Sequence, residues 1–146
     1  MIKVYTTIFI GKYVRYFIIF LSFGWFFSSC EIQNDNEPAD ERDNITGTWK
    51  CQEVDQSNKT INFEAVISKH ATDTAKIWVD NFSALGSGIK VSVGMGGHLL
   101  TIPQQTVDGN TISGTGSISS TYNQITWTYS LDDGGGKENY TAKFTR

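Results

Sequence analysis

The chain is poor in the residues that build catalytic and metal centres. Among 146 residues there are two cysteines, two histidines and two prolines. Two cysteines cannot supply the bridges of a disulfide-stapled domain. The histidines, His70 and His98, lie far apart in the sequence, and metal catalysis needs several converging ligands. There is no Gly-x-Ser-x-Gly and no pair of carboxylates on one strand face. The expectation is therefore no enzyme, with catalytic residues none, metal none and cofactors none. Positive charge is scarce as well: Lys plus Arg number 12 against 15 Asp plus Glu, a formal charge of −3. That excludes the basic surface a nucleic acid partner requires. Apolar spacing of the helical kind is missing past Asn44, where apolar residues recur every second position.

Long hydrophobic runs are also wanting. The longest, Tyr16–Phe27, is well below the roughly 20 residues that span a bilayer. What surrounds it is informative. Lys3, Lys12 and Arg15 precede it, and the small residues Ser28 and Ser29 lead from it to Cys30. A basic start, a short apolar core and small residues before a cut describe a secretory signal. With a cysteine at the cut, residues 1–29 resemble a bacterial lipoprotein signal peptide. The resemblance implies that Cys30 is lipidated and becomes the mature first residue. It also implies an exported chain whose membrane partner is reached through that lipid, at the outer membrane of a Gram-negative bacterium. The rival reading, a retained transmembrane helix, has to bury Lys12 and Arg15 at about 2.5–3.5 kcal/mol each near mid-membrane.

Removing residues 1–29 takes away three positive charges and no negative ones, so the formal charge moves from −3 to −6. Most of the excess lies in residues 30–43, where six acids face only Arg42. With almost nothing apolar to bury, this segment reads as a disordered acidic tether. Glu31–Glu37 resembles the acidic export signal of surface-exposed lipoproteins, and a plain spacer is the alternative. Residues 44–146 are nearly neutral and suffice for one domain with one core. Cys51 is the second cysteine, and a lone thiol of this kind is expected to be buried and inert.

Eight alternating runs follow Asn44. Examples are Ile61, Phe63, Ala65 and Ile67 against Asn62, Glu64, Val66 and Ser68, and Ile125, Trp127, Tyr129 and Leu131 against Thr126, Thr128 and Ser130. Pro103 interrupts the fifth run and predicts an edge or a bulge. Turn signals such as Asp108-Gly109 and Asp132-Asp133-Gly134-Gly135-Gly136 separate the runs. No connection has room for a crossover helix, so sequence neighbours are expected to pair antiparallel. The fold class is all-β: an eight-stranded antiparallel up-and-down barrel, with a two-sheet sandwich as the alternative.

The first of these runs carries Gly47-Thr48-Trp49. This Gly-x-Trp resembles the opening strand of the lipocalin-like, or calycin, barrels. The resemblance implies a Trp across the closed end of the barrel and a basic residue late in the last strand over its indole. Here those residues are Trp49 and Arg146.

Candidate functional residues follow from the same parity. Phe63, Val91, Trp127 and Tyr129 are inward candidates for a small apolar or glycan-like ligand at the open end. The competing reading is a filled barrel that acts through its surface as a structural or interaction protein or an inhibitor. Gly114 and Gly116 share the inward parity of Ile112 and Ile118, and either open a cavity or mark a sharp bend. Trp78 falls on the parity of Lys76 and Asp80. It faces outward unless a bulge resets the register, with Phe82 on its side. With Tyr122, these two are surface-contact candidates. Asp73-Thr74-Ala75 resembles a bacterial O-glycosylation acceptor, with Thr74 as the modified residue.

Overall fold

A computed structural model describes residues 39–146. The expectations for Cys30 and residues 1–38 fall outside the described residues.

Eight strands follow one another: β1 Gly47–Val54, β2 Thr60–Lys69, β3 Lys76–Asp80, β4 Lys90–Gly96, β5 Leu99–Val107, β6 Asn110–Ile118, β7 Gln124–Asp132 and β8 Lys137–Thr145. Each pairs antiparallel with its sequence neighbour, and β8 closes on β1 with Cys51 opposite Phe144. The fold is thus a closed up-and-down barrel, as the alternation predicts, and not a two-sheet sandwich. Closure leaves no free strand edge.

Alternation builds the wall. Trp49, Cys51 and Glu53 on β1 point inward, as do Ile77 and Val79 on β3, Val91 and Val93 on β4, and Trp127 and Tyr129 on β7. Each large apolar side chain so buried contributes about 1.5–3 kcal/mol. Pro103 sits in a bulge, where the β5–β6 register shifts between Ile102 and Gln105. β5 pairs with β4 only over Leu99–Thr101. Farther along, the Gln105 side-chain amide fills the gap. It accepts from Ser92 N at 3.0 Å and donates to Ser92 O at 2.7 Å.

One end of the barrel is sealed. A 3-10 turn, Glu41–Asn44, is capped by Asp40, and Ile45 behind it is fully buried. The indole Nε1 of Trp49 donates to Ile45 O at 2.9 Å. The Arg146 guanidinium lies 4.6 Å from the Trp49 ring centroid and donates to the carbonyls of Thr46 and Asn44. The contact foreseen between Trp49 and Arg146 is therefore present.

Residues 39–43 belong to this folded unit and not to a tether. The reason is Arg42, which is only 7% exposed. Its guanidinium grips Asp40 and donates to Asp73 O and Lys76 O at 3.0 and 3.1 Å. Acidity alone concealed this, because Asp40 and Asp43 are partners of Arg42 and Lys69.

Candidate functional site

The β1–β2, β3–β4, β5–β6 and β7–β8 connections gather at the other end. Here the chain departs from the outward expectation for Phe82. β3 stops at Asp80, and Asn81 takes a left-handed conformation at φ 58°. That turn reverses the direction in which the next side chain points. Phe82 enters a second 3-10 turn, Phe82–Ala84, and is 0% exposed. Its ring lies 4.8 Å from Tyr129, 5.2 Å from Trp127 and 5.9 Å from Phe144, centroid to centroid. Phe82 is a core residue and not a surface contact.

Of the two alternatives for Gly114 and Gly116, a cavity or a sharp bend, the cavity is excluded, because the space beside them is occupied. A Cβ on Gly114 would lie 2.4 Å from Tyr129 Cβ, and one on Gly116 would lie 2.6 Å from Trp127 Cε3. The two glycines permit close approach of β7, which places both aromatic side chains. Val91 and Trp127 are fully buried, Tyr129 nearly so, and Phe63 is half-buried edge-on to Phe144. Phe82 fills the interior beside Trp127 and Tyr129, whereas Phe63 lines a separate, open cleft of about 610 Å³ along β1, β2 and β8. Trp127 Nε1 has no hydrogen-bond acceptor among the described residues. An unpaired buried donor costs on the order of 1–3 kcal/mol.

A cleft of about 440 Å³ opens at this end, above the filled interior. Ile61, Leu85, Leu131 and Tyr140 supply its apolar lining, and Ser83 comes from the second 3-10 turn. Its charged groups are Glu53, Asp55 and Glu138 against Lys59. Glu53 is 4% exposed and accepts a hydrogen bond from the Tyr129 hydroxyl, which also lies 3.0 Å from Ser83 Oγ. Burial, followed by the Glu53 charge, pushes the Tyr129 phenol far above its ordinary range, so it remains a donor. Tyr140 stacks on Tyr129 at 5.5 Å and donates to Glu138. That bond, with lesser contributions from burial and the charges of Glu138, Glu53 and Asp55, pushes the Tyr140 phenol up to about 12.

Two parts of this site were hidden in the sequence in different degrees. Glu53 shares the inward parity of Trp49 and Cys51, so alternation alone carried the signal. Ser83 had none, because the turn that delivers it depends on left-handed Asn81, Ser83 and Ala84, none of them glycine.

The remaining candidates lie elsewhere. Trp78 faces outward, half-covered by His70, whose ring stacks on it at 4.7 Å and 25°. Tyr122 leans on His98 at 4.8 Å near the sealed end and is half-buried. Thr74 is exposed in the β2–β3 loop. Cys51 is buried, and burial pushes its thiol up to about 12. Asp132 and Asp133 spend side-chain oxygens on Gly134 N and Gly135 N. Among the described residues no group of three His, Cys, Asp or Glu side chains is arranged to hold a metal. No helix of those residues is long and apolar enough to cross a membrane.

No family model and no curated protein matches the chain. Solved structures do. A redesigned β-barrel, b11L5F_LGL, is 15% identical with a TM-score of 0.54, over 72% of this chain and 93% of that one. EF1p2_mFAP2b bound to DFHBI is 11% identical with a TM-score of 0.51, over 71% and 94%. The redesigned barrel mFAP1 bound to DFHBI is 13% identical with a TM-score of 0.50, over 72% and 97%. At these identities the likeness is one of fold: a closed eight-stranded barrel.

Proposed function

We propose that the chain is a lipid-anchored, lipocalin-like barrel that works as a binding module for a small molecule, apolar or glycan-like in its body. The observation that carries this reading is the cleft of about 440 Å³ at the unsealed end, within the usual range of ligand sites. Its lining mixes apolar side chains with a few converging polar groups, the composition such sites favour. Two of the similar barrels are bound to DFHBI, which agrees with a ligand role for this architecture. The anchor rests on the run from Lys3 to Cys30, whose resemblance to a lipoprotein signal supports a location at the outer membrane of a Gram-negative bacterium.

The site differs from the interior pocket expected from the sequence. With Phe82 seated on Trp127, Tyr129 and Phe144, a ligand rests above the aromatic cluster and not within it. A second reading, a filled barrel acting through its outer face as a structural or interaction protein or an inhibitor, is favoured by the His70–Trp78 stack on that face.

A thermal-shift screen of small apolar and glycan-like compounds tests the binding reading, since a ligand that binds only the folded state raises the melting temperature. Compounds that stabilise the parent should lose their effect in Leu85→Arg, which fills the cleft. Equal stabilisation of both proteins, or no stabilising compound at all, would leave the outer-face reading in possession.

A further inference from the structure

The charges at the two ends of the barrel are arranged differently. The ion pairs of the described residues, Arg42–Asp40, Lys69–Asp40, Lys69–Asp43 and Lys76–Asp73, all lie at or beside the sealed end. None involves a carboxylate of the cleft. There, Glu53, Asp55 and Glu138 face the single ammonium of Lys59, which pairs with none of them. Glu53 is the telling group. A nearly buried carboxylate is costly without a partner of opposite charge. Its one protein hydrogen bond comes from the neutral Tyr129 hydroxyl and reaches Oε2, while Oε1 has no protein donor among the described residues. Since Oε1 is also not among the sealed-off unpaired atoms, it is open to the cleft.

We infer that this cleft selects a small organic cation: a protonated amine that sets its N–H donors on Glu53 while its apolar body lies against Ile61, Leu85 and Tyr140. The inference rests on the reading of the cleft as a binding site and names the ligand class. Charge-assisted hydrogen bonds to a carboxylate are about twice as strong as neutral ones. An ammonium also gains from the face of a tyrosine ring, and Tyr140 lines the cleft. A divalent metal fits less well, because no three ligating side chains converge there among the described residues. An anionic ligand would meet three carboxylates.

The test uses the full chain in detergent and three probes of matched shape: 2-phenylethylamine, the neutral 2-phenylethanol and the anionic phenylacetate. Affinity is read by calorimetry, and the place of binding by 1H–15N shifts of Ser83, Leu85 and Leu131. The expected result is that the amine binds at these residues at least ~10-fold more tightly than the alcohol, with no binding of phenylacetate. Glu53→Gln, which keeps an acceptor for Tyr129, should weaken the amine about 30-fold or more and leave the alcohol unchanged. If that variant fails to fold, Asp55→Asn at the rim and the amine-to-alcohol ratio of the parent decide. Equal binding of amine and alcohol at the cleft overturns the cation inference and preserves the binding site. Failure of all three probes to move these signals also overturns the inference, and the broader screen above then decides the binding reading separately.

Discussion

The indole of Trp127 occupies the place a side chain on Gly116 would take: a Cβ there would lie 2.6 Å from Cε3 and 2.8 Å from Cζ3 of the ring. The two residues are partners across the β6–β7 ladder. The ring that Gly116 admits is the one against which Phe82 packs edge-on. One glycine thus sets the position of the aromatic cluster beneath the cleft.

Gly116→Ala is therefore expected to behave as an overpacking change. It should cost about 1–3 kcal/mol and shift the tryptophan emission, because the indole has to move. Urea unfolding followed by fluorescence measures both. An unchanged midpoint and spectrum would show that the ring is not confined by Gly116.

At the sealed end, Arg146 stacks on Trp49 and ties down the carbonyls of Asn44 and Thr46. Arg146→Ala should lower stability by about 1–2 kcal/mol. Arg146→Lys should recover only part of that, since an ammonium lacks the planar fork that reaches ring and carbonyls together. Denaturant midpoints of the three proteins, compared at equal salt, give the answer.

Acid sensitivity should come from the same end. The Arg42 guanidinium, then the Lys69 ammonium, hold the Asp40 carboxyl well below the usual carboxylate range in the folded state. The unfolded chain therefore binds a proton at Asp40 more readily than the folded one. The stabilisation this confers is complete above about pH 4. It is lost as pH falls further, toward the depressed folded value. Asp40→Asn should be less stable than the parent at neutral pH and show a flatter acid limb. Parallel acid limbs for the two proteins would mean that Asp40 is not a linked group.

The cysteines should behave oppositely. Cys51, buried and with its thiol pushed up to about 12, is expected to resist iodoacetamide in the native protein and to react on unfolding. Cys30→Ala is expected to release the protein from the membrane fraction or stall its processing. A variant that fractionates and migrates like the parent would remove the lipid anchor from the account.

The barrel was legible because each strand has one face in the core, and a period of two is hard to disguise over five to ten residues. The sealed end was legible through the resemblance of Gly47-Thr48-Trp49 to the opening of lipocalin-like barrels, which pointed to Trp49 and to Arg146, one residue past β8. Legibility failed where the chain leaves the strands. Phe82 shares the parity of Trp78, and only the left-handed Asn81 turns it inward. Arg42 stood alone in an acidic run and gave no apolar pattern, although its pairing with Asp40 pulls the segment into the fold. The glycines of β6 pointed to a cavity or a sharp bend, and their parity gave no sign that Tyr129 and Trp127 of β7 occupy the space beside them.

The claim that the unsealed end is the binding site is tested most directly by mapping the bound position of a stabilising compound through 1H–15N shifts of the full chain. The account predicts shifts centred on Ile61, Ser83, Leu85 and Leu131, with the Trp127 indole N–H responding through its contact with Phe82. Shifts centred instead on His70 and Trp78, with the cleft residues unmoved, would contradict it.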